Sequence, residues 1–531
     1  MNPEMVNIIQ EWIKTVPKTS ILMLQNATYD AKVLYKYGIN ILNFEWFDTM
    51  VAGHLLDEVS SCGLKYMANK YLGVDTESYE SASKDSTKFL EYCMNDAEWT
   101  YKLAKLFAPK LKEEGLELLF RKIEMPFLRV IFMMETTGWK VDIDKVNTIT
   151  THLEEEIFEI QRKMYELLGE RYEIQPTLDG KLTLVGNLNF NSGQHLATIM
   201  FDRLGLEDVG VTDSGRRKTG KEAINKLAGQ HPFIELLQQY KVASKLLEGF
   251  FNPMPKYIDE DGRVRSSFND CGTKTGRLSS SNPNLQQLPK KNKAFPVETR
   301  SCFVAPVGKK LIAADYSGQE LRVLAHISND KGLIDAFNSG KDFHQETADK
   351  FGVSRTQAKA INFGVAYGKG AYGFAKDWKT TEEEAQKFLD LYFSSFPKVK
   401  DAIENTTKEV KKEGYVTNLV GRKRRLPLVV DGDNKFYRRS SFREAFNFKI
   451  QGFSADMMRI ASIKVLNLCT RNPQWSMKII ALIHDEIVTE VNEQYAEEAK
   501  IAINKAMITA VKLKVPVLAD VHIGDDYSQI K

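Results

Sequence analysis

The sequence predicts a multidomain α/β protein, and three observations carry that prediction. At 531 residues the chain is longer than one hydrophobic core normally serves. Its 43% hydrophobic and 27% charged residues are those of an ordinary soluble globular protein. Short apolar runs of strand length stand among long stretches whose apolar residues recur every three or four positions.

Residues 1–110 combine the apolar run 20–24 with helical patterns such as 85–107, as a small α/β unit would. Residues 118–170 read as long helices. The stretch 179–220, rich in Gly, Thr, Asn and Ser, reads as loops between helices. Near Lys310 the pattern changes: residues 310–315 form a short buried strand ending at Asp315. It breaks at Ser317-Gly318, and a helical stretch follows over 319–327. From 330 to about 410 the periodicity is helical throughout. The apolar runs 477–483 and 487–491 flank His484-Asp485-Glu486, which predicts a hairpin with acids at its tip. There is no internal repeat and no low-complexity tract.

A formal net charge of +3 does not announce a nucleic-acid binder, so local clustering has to carry that inference. One cluster stands out: Arg422, Lys423, Arg424 and Arg425, then Lys435, Arg438, Arg439 and Arg443. By itself it is compatible with a solvated charged face or with phosphate contacts. The five cysteines are scattered without a CxxC pair, so neither a disulfide framework nor a zinc site is suggested, which fits a reducing cytoplasm. The N-terminus lacks the apolar core of a secretory signal, and no run is long enough to cross a membrane. A cytoplasmic location is therefore expected.

Phosphoryl transfer asks a protein mainly for positioning and charge stabilisation. Two metal ions held by carboxylates at the ends of neighbouring strands supply both. Asp315 at a strand end and Asp485 in a hairpin turn have that placement, although each alone is equally compatible with a turn aspartate satisfying backbone donors. Between them Arg355, Lys359, Phe363 and Tyr367 recur every four residues on one side of a helix, with Ser354 as its N-cap and Gly368 near its end. Two cations followed by two rings suit a nucleoside triphosphate; an amphipathic helix with buried rings and solvated cations would show the same spacing.

Together these elements resemble family A DNA polymerases. The first motif is Asp315-Tyr-Ser-Gly-Gln-Glu320-Leu-Arg322, the second is the 355–368 helix, and the third is His484-Asp485-Glu486. Thr275-Gly-Arg277, Asn282-Pro-Asn284-Leu-Gln286, Asp342-Phe-His344, and Arg443 with Asn447 and Gln451 also match. The ordered set is far more specific than any member. The resemblance implies template-directed DNA synthesis from primer–template DNA and deoxynucleoside triphosphates, with two Mg²⁺ ions on Asp315 and Asp485 and Mn²⁺ able to replace them. It makes Glu486 an acidic neighbour on the primer side. Arg355, Lys359 and His344 become triphosphate contacts, with Lys359 also a proton donor to pyrophosphate. Phe363 would lie against the sugar, Tyr367 near the nascent base pair, and Glu320 where a ribose 2′-hydroxyl would fit. Arg277, Asn284, Gln286, Arg443, Asn447, Gln451 and His484 become DNA contacts, and the basic run 422–443 would line the template path. Glu320 and Glu486 distinguish the sequence from single-subunit phage RNA polymerases.

The implied architecture is a right hand. The palm takes 118–145, 256–322 and 437–531, the thumb 146–255 and the fingers 323–436. Residues 1–117 resemble the later part of a ribonuclease-H-like 3′–5′ exonuclease domain. Asn26 and Asp30 match its second motif, Tyr92 and Asp96 its third, and Phe47-Asp48-Thr49 also fits. The DxE of its first motif does not precede Asn26. The expectation is thus a unit lacking its first strand, with proofreading by this chain alone weak or absent. A phage-type enzyme, acting in the host cytoplasm, is the expected source.

Overall fold

The computed structural model describes residues 3–176, 182–212, 214–288, 298–378, 380–426 and 435–530. Its centre is a four-stranded antiparallel sheet in the order Lys478–Ile483, Glu486–Asn492, Lys309–Tyr316, Ala519–Gly524. The strand Lys309–Tyr316 is internal because alternate residues can be buried on opposite faces. Leu311 and Ala313 enter one core with Trp139, Phe303 and Val488. Ile312 and Ala314 enter the other with Leu482, Ile487 and Met507. A strand apolar on both faces shows no alternation, which is why it reads in the sequence as a continuous apolar run.

The helices Met125–Thr137, Lys435–Arg471 and Ala496–Ile508 pack against this sheet. Tyr316 ties it to the last of them, its hydroxyl donating to the Met507 carbonyl at 2.9 Å. The helices Ile143–Leu168 and Pro232–Leu246 pack together, with a third core around Met164, Phe190 and Phe233 towards their far ends. Six helices, from Lys331–Asn338 to Pro397–Glu413, fill the stretch expected to be helical throughout. The turn at Gly138 needs glycine: its φ is 65°, and a Cβ there would meet the Val264 carbonyl oxygen at 2.8 Å.

The N-terminal unit pairs Ile21–Leu24 with Glu45–Asp48 in parallel and surrounds them with helices, the longest being Ser86–Glu113. It shares a continuous core with the central sheet's helices; Phe47 meets Phe120 with ring centroids 4.7 Å apart. One expectation fails locally. Tyr172–Pro176 and Leu182–Gly186 pair as antiparallel strands, the second of them inside the stretch 179–220 that the sequence read as loops. Their residues are mostly exposed although Ile174, Leu182 and Val185 are apolar, and the short alternation in 172–176 and 182–184 sits beside a stretch rich in loop-forming residues.

Candidate active site

Strand register brings the two sequence-selected aspartates together. Glu486 pairs with Asp315, and the two-residue turn His484-Asp485 lies just beyond that pair. The Tyr316 N–H then donates to the Asp485 carbonyl at 3.2 Å, which holds the turn beside the end of the central strand. His484 makes the reversal at φ 58° and stands exposed. Asp315 and Asp485 are both half-buried. Glu486 is fully buried and accepts a hydrogen bond from the Tyr527 hydroxyl at 2.9 Å. Burial, and then the Glu486 charge, push the Tyr527 phenol up, so it stays a donor.

The helix Arg355–Ala366 starts on a capping box: the Ser354 hydroxyl accepts from the Gln357 N–H at 3.2 Å, and the Gln357 side chain accepts from the Ser354 N–H at 3.0 Å. Arg355 is exposed and paired with Asp342 at 2.7 Å; Lys359 is exposed. Phe363 and Tyr367 continue the row with ring centroids 6.1 Å apart, and His344 stands 5.7 Å from Phe363. Below them lies a cavity of about 280 Å³ lined by Arg277, Gln286, Glu320, Phe363, Tyr367, His484 and Asp485, among others. Arg277 donates to Glu320 at 2.5 Å. Burial, and then a hydrogen bond to Glu320, push the Tyr367 phenol up. Asn284 shapes this wall by accepting from the Gln286 N–H at 3.1 Å, while Gln286 Nε2 donates to the Leu482 carbonyl at 3.1 Å.

Arg443, Asn447 and Gln451 are spaced by four on the helix Lys435–Arg471. The same row continues through Ser454, Ala455 and Met458, which line the cavity. Arg443 is exposed and backs onto the Tyr367-Gly368 turn, where a Cβ on Gly368 would meet Arg443 Cα at 3.3 Å. The structure therefore gathers Arg277, Gln286, Glu320, Phe363, Tyr367, His484 and Asp485 around one space. Arg355, Lys359 and His344 lie farther along the same helix pair.

The first half of the basic run is not a phosphate-facing surface, which corrects the sequence reading. Arg422 and Arg424 are buried, and all four cations are ion-paired: Arg422 with Glu124 and Asp456, Lys423 with Glu114, Arg424 with Glu58 and Glu444, Arg425 with Glu58 and Glu114. Their partners come from distant parts of the chain, so linear sequence showed only the basic half. Arg438 is exposed; the side chains of Lys435 and Arg439 lie outside the described ones. Arg459, which the sequence reading missed, joins the same buried network through Glu124 at 2.6 Å and Asp270 at 2.5 Å. It also donates to the Gly276 carbonyl at 2.7 Å, beside Arg277. Tyr527 and Asn362 were missed too, because each acts only through a residue brought to it by folding.

In the N-terminal unit, Asn26 caps the helix Ala27–Lys36 at φ 61°, and Asp30 lies in that helix. Burial, and then the neighbouring Asp48 charge, push the Asp30 carboxyl up to about 7. Asp48 is fully buried and accepts from the N–H groups of Asn26, Ala27 and Met50, so it braces the turn. Asp96 is paired with Lys65, whose ammonium also lies 3.7 Å from the Tyr92 ring centroid. Among the described residues no group of three or more His, Cys, Asp or Glu side chains is gathered to hold a metal. In this unit Asp96 is engaged by Lys65 and Asp48 by backbone N–H groups. The Asp315–Asp485 pair offers two hard-oxygen donors at the edge of the cavity, which suit Mg²⁺: it takes one or two carboxylates and completes its shell with phosphate and water.

Residues 143–529 match the family described as DNA polymerase family A, and residues 10–112 match one described as 3′-5′ exonuclease. Among curated proteins, the chain is 37% identical over 455 residues to a thermostable DNA polymerase I of Thermus filiformis, covering 84% of this chain and 52% of that protein. It is 33% identical over 530 residues to DNA polymerase I of Pseudomonas aeruginosa, covering 95% and 56%. The chain thus spans about half the length of these relatives. Among solved structures, it resembles the POL domain of Pol1 from M. smegmatis, in complex with DNA primer-template and dNTP. The TM-score is 0.88 at 28% identity, covering 100% of this chain and 90% of that one. No helix among the described residues is long and apolar enough to cross a membrane.

Proposed function

The chain belongs to DNA polymerase family A, and from that premise we propose that it extends a primer 3′ end on a DNA template, using deoxynucleoside triphosphates. The observation that carries this reading is the register that sets the Asp485 turn against Asp315, at the edge of a cavity roofed by Phe363 and Tyr367. The palm is residues 118–145, 256–322 and 437–531, the thumb 146–255, the fingers 323–436, and 1–117 an exonuclease-like unit.

Arg355, Lys359 and His344 bind the triphosphate, and Lys359 gives a proton to the departing pyrophosphate. Phe363 orients the sugar, Tyr367 the nascent pair, and Glu320 closes the space beside the sugar 2′ carbon. Arg277, Asn284, Gln286, Arg443, Asn447, Gln451 and His484 hold primer and template, on groove edges whose acceptor pattern varies little with sequence. Glu486, kept in place by Tyr527, supports the metal-holding pair from beneath. Divalent ions, Mg²⁺ with Mn²⁺ as a substitute, would bind Asp315 and Asp485 and supply Lewis-acid activation of the attacking hydroxyl and charge stabilisation of the leaving group. Hydrolysis by residues 1–117 is weak or absent, because Lys65 neutralises Asp96. The cytoplasm, which holds template and nucleotides, is the location this activity fits. The relatives named are bacterial and lend nothing to a phage-type origin.

The test is primer extension by Asp315→Ala and Asp485→Ala chains. Loss of several kcal/mol of transition-state stabilisation corresponds to a rate drop of about a thousandfold or more. Primer–template affinity, followed by fluorescence anisotropy, should stay near that of the unaltered chain. Near-normal extension by either variant would overturn the assignment.

A further inference from the structure

Asn362 lies on the helix Arg355–Ala366 and is fully buried. Its amide nitrogen is 3.2 Å from Thr347 Oγ1 and 3.1 Å from His344 Nδ1, both on the facing helix Phe343–Phe351. Thr347 decides which way the amide faces. Its hydroxyl donates to the Phe343 carbonyl at 2.8 Å, so its oxygen is left as an acceptor. Only the NH₂ end of Asn362 can satisfy that acceptor, and the second N–H of the same NH₂ group then points at His344. Turning the amide over would set two oxygens against each other and bury both N–H donors without either contact.

We infer that Asn362 is a positioning residue that fixes His344 as its Nε2–H tautomer, so that the ring offers one neutral N–H donor to the incoming triphosphate. An Nδ1 that accepts from Asn362 cannot carry a proton, which leaves Nε2, across the ring, as the donor. The surroundings of the ring agree: burial foremost, with Arg355 and Lys359, holds His344 below the usual imidazole range against the opposing charge of Asp342. Two cations on the neighbouring helix already supply charge for the phosphates. A neutral directional donor adds orientation without a third positive charge. The triphosphate part of this inference rests on the polymerase reading; the tautomer part does not.

The experiment uses the full chain labelled with ¹⁵N-histidine, the His344 signals being identified by their loss in His344→Gln. At neutral pH, long-range proton–nitrogen spectra should show an unprotonated Nδ1 and a protonated Nε2. Thr347→Val removes the acceptor that orients the amide, and the spectrum should move towards Nδ1–H. Asn362→Asp places a carboxylate against Nδ1. It should turn the ring into an imidazolium at neutral pH and give KM for dNTP a pH dependence above the ordinary histidine range that the unaltered chain lacks. His344→Gln should raise KM for dNTP by roughly tenfold, the value of one hydrogen bond to a charged group, with kcat changed less. Because unaltered chain is measured first, a variant that fails to fold does not remove the test. An Nδ1–H tautomer or an imidazolium in the unaltered chain would overturn the inference, as would an unchanged tautomer in both folded variants. A tautomer that shifts as expected, with no effect of His344→Gln on KM, would uphold Asn362 as the lock and overturn the triphosphate contact.

Discussion

Glu320 sits where three constraints meet: Arg277 donates to it, the Tyr367 phenol leans on it, and its helix holds it at the cavity wall. Glu320→Ala opens space at that wall and leaves Arg277 without its partner. The expected outcome is slower synthesis and a rise of about tenfold or more in ribonucleotide relative to deoxynucleotide incorporation, since small steric differences in a pocket are worth about that much. Competition assays with mixed nucleotides measure it; an unchanged ratio would remove Glu320 from sugar selection. Asp30 offers a test on stability instead. Its folded pKa of about 7 lies above the ordinary carboxylate value of 3.8, so the native chain binds the proton more tightly than the unfolded one. That contribution is fully present below pH 3.8 and is lost as pH rises through about 7, at about 1.4 kcal/mol per unit in the limit. Asp30→Asn should therefore flatten the decline in stability between those values and leave the variant more stable at pH 8. Thermal melts across this range check the sign.

The helix Arg355–Ala366 shows how an element carries a site. Its first turn is fixed by the Ser354 and Gln357 capping box, which sets where the Arg355, Lys359, Phe363 and Tyr367 row begins. Ser354→Ala should cost about 0.5–2 kcal/mol of helix stability. Faster amide exchange in the first turn and a higher KM for dNTP are expected, with primer–template affinity unchanged; equal exchange rates would show that packing alone holds the turn. This helix was legible before folding, because four-residue spacing, a Ser N-cap and a terminal glycine are all local signals. The hairpin carrying Asp485 was legible for the same reason. The exposed strand pair Tyr172–Pro176 and Leu182–Gly186 was not, because its apolar alternation is short and adjoins a stretch rich in loop-forming residues.

At the scale of the whole molecule, buried charges join the parts. Glu124 and Asp270 come from segments before the central strand Lys309–Tyr316, Arg422, Asp456 and Arg459 from segments after it, and all are buried. Burial pushes the Glu124 carboxyl up, but Arg422 and Arg459 outweigh it and hold the group below the usual range. A lowered folded pKa contributes stability above the unfolded value that is lost as pH falls. Glu124→Ala leaves two buried guanidiniums short of a partner, a loss of about 3–5 kcal/mol. Denaturant unfolding should show it as a lower midpoint, and extension should weaken with it because Arg459 no longer holds the Gly276-Arg277 turn as firmly. Unchanged stability would mean that Asp456 and Asp270 suffice for both arginines.

The sequence by itself determined the elements whose signals are local: the two acid-bearing strand ends, the capped helix between them, and the ordered motifs that placed the chain in its family. These depend on spacing along the backbone, which a linear string preserves. Tertiary structure alone decided which groups meet. The run Arg422–Arg425 read as a surface until Glu58, Glu114, Glu124, Glu444 and Asp456 arrived from elsewhere to pair with it. Asn362 read as one polar position on a helix until folding set its amide against Thr347 and His344. A charge or an amide has no fixed role until its partner is within hydrogen-bond reach, and that distance is a property of the fold rather than of the neighbouring residues.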